Sequence, residues 1–186
     1  MQHQKTDLSK FNNEFYNTGG SSLKRSLWYI INGIFLNNPL FPFSSIKIFW
    51  LRVFGAKVGN GVVIKPSVNI KYPWNLQLGK NVWIGEKVWI DNLAKVLIKD
   101  NVCISQGAFL LCGNHNYKKE AFDLIVEEIL LEEGVWIGAN SVVCPGVTCK
   151  SHSVLSVGSV AVKDMEEYSV YQGNPAEKIR ERVIGY

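Results

Sequence analysis

The sequence predicts an all-β solenoid of parallel hexapeptide repeats, with a short helical segment before it and a short helix after it. Three observations carry this reading. An aliphatic residue recurs every sixth position from Val58 onward: Val58, Ile64 and Ile70, then Leu78, Ile84 and Ile90, then Ile98, Ile104 and Leu110. Two extra residues part each triplet from the next, so Val58, Leu78 and Ile98 mark a period of 20, one coil of three hexads plus a corner insertion. The series then resumes at Leu131, Ile137, Val143, Cys149, Leu155 and Ala161.

An amphipathic helix returns its apolar residue with a period of 3.6 and a half-buried strand with a period of 2, so neither explains a spacing of six. A three-sided solenoid does, because each hexad supplies one short strand and one corner. The aliphatic side chains then point inward and stack on those of the next coil. A second apolar residue often sits four places on, as at Val62, Val68, Val82, Val88, Val102 and Val135. Glycines follow several aliphatic positions (Gly59, Gly79, Gly85, Gly138) and are expected to relieve backbone strain at the corners. A Val/Ile-rich sandwich competes with this reading, but nothing in a sandwich holds a six-residue phase over so many strands.

Taken in order, residues 1–54 read as a polar leader and a helical cap. The leader lacks the basic-then-apolar order of a secretory signal, so export is not expected. Residues 22–54 mix apolar and basic side chains around Pro39 and Pro42, which predicts two short amphipathic helices joined by a turn. They are expected to cover the open first coil or, alternatively, to touch a membrane surface. The apolar run Leu27–Leu36 is ten residues, half of the roughly 20 that span a bilayer. Residues 55–172 form the solenoid, interrupted where the six-residue phase breaks by an extruded loop at 113–130. In the last segment, 173–186, Asn174-Pro175 has the form of an N-cap followed by proline at the first helical position, which predicts the C-terminal helix.

Composition narrows the function. Twenty basic against 16 acidic residues leave a net charge of +4, and the basic residues are scattered, so nucleic acid is not the expected partner. Cys103, Cys112, Cys144 and Cys149 form no C-x-x-C pair and read as reduced packing residues of a cytosolic protein. Of His3, His115 and His152, only His115 stands in a plausible site, after Gly113 and Asn114 where the repeat breaks. His152 falls at a predicted corner, where a solvated histidine is ordinary. A histidine with a pKa of about 6.5 suits the work of a general base near neutral pH.

The segments LRVFGAKVG (51–59), YPWNLQLG (72–79), ISQGAFLLCGNHNY (104–117), VWIGANSVVCPGV (135–147) and GNPAEKIRER (173–182) resemble the hexapeptide-repeat acyltransferases, and among them the colanic acid biosynthesis acetyltransferases. The match runs over nearly the whole chain. It implies coils wound left-handed, against the usual crossover rule. It also implies a homotrimer with sites between subunits, and transfer of acetyl from acetyl-CoA to a sugar hydroxyl in exopolysaccharide or capsule biosynthesis.

The resemblance places the general base at His115. Relatives usually read His-Asp-Tyr here, whereas this chain has His115-Asn116-Tyr117, so another group must orient the imidazole. Carried over position by position, the CoA contacts are Ala139, Val157 and Lys163, with Arg180 toward the phosphates; where Glu177 replaces a relative's arginine, one phosphate contact is either lost or taken over by Lys178. Trp136 either packs on the pantetheine arm or a sugar face, or simply packs. Asp91, Asn92, Gly113 and Asn114 are candidates for the acceptor, although Asp and Asn also favour corners for turn reasons. No metal is expected. The rival readings are a carbonic-anhydrase-like zinc enzyme, which needs three converging histidines, and a non-catalytic scaffold. A serine acetyltransferase would carry a larger helical N-terminal domain.

Overall fold

The computed structural model describes residues 5–185. Its body is a three-faced parallel solenoid. The first face carries strands Lys57–Val58, Leu76–Leu78, Val96–Ile98, Ile129–Leu131 and Thr148–Cys149. The second carries Val63–Ile64, Trp83–Ile84, Cys103–Ile104, Trp136–Ile137, Val154–Leu155 and Ser169–Gly173. The third carries Asn69–Ile70, Trp89–Asp91, Phe109–Leu111, Val142–Val143 and Val160–Ala161.

Register follows the hexads. Val58 pairs with Leu78, Leu78 with Ile98, Ile98 with Leu131 and Leu131 with Cys149, and the other two faces keep the same alignment. Apart from half-buried Val58, none of these inward side chains is more than 4% exposed. Each removes its apolar surface from water, worth roughly 1.5–3 kcal/mol for a Val, Leu or Ile. The second apolar positions, Val62 through Val135, are also buried and fill the corners.

The glycines act differently from the expectation. Positive φ falls on the third residue after every inward side chain of the first two faces, and after Val143 of the third, at Gly61, Ser67, Asn81, Lys87, Asn101, Gly107, Gly134, Asn140, Gly146, His152 and Gly158. Gly59, Gly79, Gly85 and Gly138 are not in that conformation. They permit close approach of successive coils: a Cβ on Gly138 would lie 2.6 Å from the Leu155 carbonyl oxygen. His152 sits on one of the left-handed corners, half-buried rather than solvated, with its ring 4.8 Å from that of Tyr168.

Two helices, α1 (Ser22–Ile31) and α2 (Ser44–Val53), precede the solenoid, joined through a π-helical turn at Asn32–Leu36 and the Pro39 to Pro42 bend. They close the first coil by replacing the hydrogen bonds that a preceding coil would have made. Arg52 Nη2 donates to Val58 O on the first face (2.8 Å). On the second, Ser44 Oγ both donates to Ile64 O and accepts from Ile64 N, while Lys47 Nζ donates to Ile64 O (3.3 Å) and Lys65 O (2.7 Å). On the third, Trp28 Nε1 donates to Ile70 O (2.8 Å) and Asn32 Oδ1 accepts from Ile70 N (3.4 Å). No described helix is long and apolar enough to cross a membrane.

The expected C-terminal helix is a strand. Ser169–Gly173 turns at Asn174-Pro175 and returns as Ala176–Glu181, antiparallel along the second face. Asn-Pro marks turns as readily as helix starts, and here the free edge of Ser169–Gly173 offers the returning chain a full set of backbone partners.

Lys47 is wholly buried, and desolvation lowers its amine to about 8. Between that pH and the ordinary lysine value of 10.5 the unfolded chain holds a proton that the folded chain has released, so stability owed to this group rises with pH. Urea unfolding of wild type and Lys47→Met at about pH 7.5 and about pH 9.5 checks this. The wild type should gain relative to the variant at the higher pH; a flat or shrinking difference would mean that the amine stays charged inside the fold.

Candidate active site

The extruded segment is a β-hairpin that leaves the solenoid at the edge between the third and first faces. Gly113–His115 pairs antiparallel with Leu124–Val126, setting His115 opposite Leu124. Its tip is tied to the leader, since Asp7 N donates to Glu120 O and Lys10 pairs with Glu120 at 2.8 Å. The solenoid resumes at Ile129 in register with Val96.

His115 is held by one residue twice over. Its Nδ1 lies 2.9 Å from the Phe122 carbonyl oxygen, and its ring stacks on the Phe122 ring at 4.5 Å with an 11° tilt. A carbonyl only accepts, so Nδ1 carries the hydrogen and, in the neutral ring, Nε2 is left as the acceptor. Phe122 itself adopts φ +53°. Asn116 takes no part: its Oδ1 accepts from Lys118 N within the hairpin turn. The departure from His-Asp-Tyr is therefore made good by a backbone carbonyl. Phe11 of the leader covers the imidazole at 5.7 Å.

His115 lines a cleft of about 750 Å³ together with Asp91, Gly113, Tyr16, Trp89 and Phe109. Two of the four predicted acceptor residues, Asp91 and Gly113, are thus beside it. Asp91 is nearly buried and pairs with Lys71 at 2.8 Å. Asn92 is fully buried and spends its side chain on Tyr72, accepting from Tyr72 N and donating to Tyr72 O, so it holds the corner rather than facing the cleft. Asn114 is exposed, with Oδ1 accepting from His115 N at 2.8 Å. Neighbouring Cys112 is buried, which pushes its thiol up to about 12 and keeps it protonated. All four cysteines are unpaired.

A second groove, of about 860 Å³, runs along the edge between the second and third faces over the later coils. Trp136, Ala139, Val157 and Arg180 all line it. Trp136 points outward and donates from Nε1 to Ser105 Oγ at 2.9 Å. The returning terminal strand forms one wall, pinned by Arg182, whose Nη1 donates to the carbonyls of Gly134 and His152. Lys163 is exposed and does not line the groove. Lys178 is held between Glu166 and Glu181, both at 2.7 Å, and this raises its pKa through those hydrogen bonds. Its amine is thus paired with those two carboxylates, and Lys178 does not line the groove. Sequence reasoning missed the roles of Phe122, which belongs to no motif, of Arg182, which ends the GNPAEKIRER segment, and of the covering leader. Among the described residues no three His, Cys, Asp or Glu side chains are grouped to hold a metal, and His3 lies outside the described residues.

The chain is 37% identical over 178 residues to WcaF of Escherichia coli K12, assigned as a colanic acid biosynthesis acetyltransferase, covering 95% of this chain and 97% of that one. The chain belongs to the hexapeptide-repeat acetyltransferase family. The family is one of acetyl-CoA-dependent acetyltransferases, and this chain is one of them. Its solenoid is the left-handed β-helix of that family. A galactoside acetyltransferase solved with coenzyme A matches with TM-score 0.76 at 27% identity, over 86% of this chain and 80% of that one. A hexapeptide-repeat acetyltransferase of Vibrio cholerae solved with acetyl-CoA shares the fold, with TM-score 0.79 at 23% identity, over 89% and 92%. No family model matches the chain.

The Phe122 contact makes a spectroscopic prediction. Nitrogen-15 NMR of the neutral His115 imidazole should show hydrogen on Nδ1 and a bare Nε2. The opposite tautomer would mean that the carbonyl does not orient the ring in solution.

Proposed function

We propose that this acetyltransferase moves the acetyl group of acetyl-CoA to a hydroxyl of a sugar in exopolysaccharide or capsule biosynthesis, with His115 as general base. The observation that carries this reading is the Nδ1 contact with Phe122 O, which reserves Nε2 for the proton of an acceptor in the cleft. As Nε2 takes that proton, the hydroxyl oxygen attacks the thioester carbonyl. The tetrahedral intermediate then collapses with loss of the CoA thiolate, which the imidazolium protonates. The 37% identity to WcaF supports the polysaccharide role, and 32% identity over 129 residues to the galactoside O-acetyltransferase of Escherichia coli K12 supports a sugar acceptor.

The donor groove takes CoA in this reading. Small Ala139 and the backbone at Val157 let the pantetheine arm lie close, Trp136 packs along it, and Arg180 meets a phosphate. Lys163, beyond the groove, serves a phosphate at its rim.

His115 and this groove lie on different edges of the prism, so one chain does not join them. A homotrimer does, by setting His115 of one subunit against the later coils of its neighbour, in a closed cyclic symmetry. The chain works in the cytoplasm, where acetyl-CoA is made. The exposed Leu27, Tyr29, Leu40, Phe43 and Phe49 of the cap lie against the inner face of the membrane.

Free-thiol release from acetyl-CoA, measured with fucosides, galactosides and glucosides, tests the reaction. Release should depend on a sugar and fall on the order of 10²-fold or more in His115→Ala, and light scattering should give a trimer. Equal rates in wild type and variant would dismiss His115 as the base, and a monomer would sink the shared site. Failure to bind acetyl-CoA at all would restore the scaffold reading.

A further inference from the structure

Two phenyl rings lie against the imidazole of His115, and they come from different parts of the chain: Phe122 from the hairpin and Phe11 from the leader. Phe11 is set there by a single capped turn, Leu8–Lys10, in which the Asp7 carboxylate accepts from Ser9 N at 3.0 Å and from Ser9 Oγ at 2.6 Å. The turn presents Lys10 and Phe11 together to the hairpin. Lys10 Nζ lies 2.8 Å from Glu120 Oε1, and the Phe11 ring lies 5.7 Å from the imidazole at a tilt of 56°. Phe11, Asn13, Tyr16 and Thr18 all line the His115 cleft, so the leader is one of its walls.

The two ends of this wall are held unequally. Downstream, the Tyr16 hydroxyl donates to Leu93 O at 2.8 Å and Trp74 Nε1 donates to Thr18 O at 2.7 Å. Gly20 packs so closely there that a Cβ on it would come within 2.8 Å of the Trp74 ring. Upstream, the ties among the described residues are the backbone bond from Asp7 N to Glu120 O and the ion pair of Lys10 with Glu120, whose side chains are 54% and 48% exposed. An exposed ion pair stabilises little and is screened by salt. The stretch that carries Phe11 is therefore the weakly held part of an otherwise fixed wall.

A base able to take a proton from a sugar hydroxyl can take one from water, which is smaller and far more abundant. The water oxygen would then bond to the acetyl carbon, the carbon–sulfur bond would break, and the imidazolium would return the proton to the CoA thiolate, leaving acetate. Excluding water from a site suppresses such a side reaction. We propose that the leader is a water shield for the general base: Phe11 keeps solvent off the imidazole, and the Lys10–Glu120 pair is the latch that holds Phe11 in place. Phe11 is thus a positioning residue, acting through His115. The proposal rests on the reading of His115 as base and adds what protects it.

Water is itself the probe, so the acceptor need not be known. Hydrolysis of acetyl-CoA without sugar, followed by free thiol and acetate, should rise about tenfold in Phe11→Ala, within the roughly 10²- to 10⁴-fold that a positioned base contributes. Phe11→Tyr should stay at the wild-type rate. Glu120→Gln should raise hydrolysis by up to about fivefold at low salt, and Lys10→Glu combined with Glu120→Lys should bring it back down. Added salt should move the wild type toward Glu120→Gln and leave that variant unchanged. Loss of structure would lower hydrolysis and sugar transfer together, whereas loss of the shield raises the first relative to the second. Hydrolysis unchanged in Phe11→Ala overturns the proposal. So does a gain that survives in the double variant Phe11→Ala, His115→Ala, because the water is then activated by another group. A charge swap that fails to restore the wild-type rate overturns the latch. If His115→Ala alone transfers acetyl to sugars as the wild type does, the reading of the base falls and the shield falls with it; an inactive His115→Ala beside an unaltered Phe11→Ala fells the shield only.

Discussion

Everything in this molecule depends on stacking one inward aliphatic side chain per face directly over its counterpart in the previous coil. Ile64, Ile84, Ile104, Ile137 and Leu155 form such a column along the second face, each at most 1% exposed. A shift of one residue would turn the whole column outward, so the apolar pattern and the backbone ladder enforce the same register. Once that register is set, the corners follow. At the corners that follow the first and second faces the chain turns through the left-handed region three residues after the inward side chain, and Gly and Asn dominate those positions. The faces between the corners are then free to carry whatever side chains function requires.

A stack of coils has two raw ends, and this chain treats them differently. At the first coil the missing neighbour is imitated by side chains: Arg52, Ser44, Lys47, Trp28 and Asn32 each reach a backbone group that another coil would have satisfied. Burying Lys47 is costly, and it is tolerated because its amine donates to the Lys65 carbonyl and shares that of Ile64 with Ser44 Oγ. At the last coil the chain folds back on itself, so that Ala176–Glu181 covers the edge of Ser169–Gly173 with true backbone pairing. The first solution leaves an apolar helical surface beside the His115 cleft, and the second builds a wall of the groove lined by Trp136, Ala139, Val157 and Arg180. Both caps therefore shape sites as well as closing edges.

The periodic part of the fold was legible in the sequence because a repeat overdetermines it: spacing alone gives the inward columns from Ile64 to Leu110 and, after the break, from Leu131 to Ala161. What was not legible is everything that depends on a single contact. Asn174-Pro175 carries the same local signal before a helix and in a hairpin turn, and only the free edge of the neighbouring strand decides between them. Asn92 looked like an acceptor ligand because Asn suits a binding site and a corner equally well, and its two bonds to Tyr72 settle the matter in favour of the corner. Phe122 had no signal at all, since neither its positive φ nor the direction of its carbonyl is written in a motif. Resemblance found the positions of Trp136, Ala139, Val157 and Arg180, and the structure adds that they line one groove.

Chemistry enters where the repeat fails. A perfect solenoid presents only short strands and tight corners, which bury nothing but its own core and hold no side chain in a defined pose above the surface. The interruption after Leu111 supplies what the coils lack: a hairpin long enough to lift an imidazole clear of the third face and to bend a carbonyl back onto it. The leader braces the hairpin through Glu120 and through Phe11 against the imidazole. Orientation by the Phe122 carbonyl also differs in kind from orientation by a carboxylate. A carboxylate stabilises the imidazolium that forms as the proton moves, whereas a neutral carbonyl fixes the tautomer with less charge compensation.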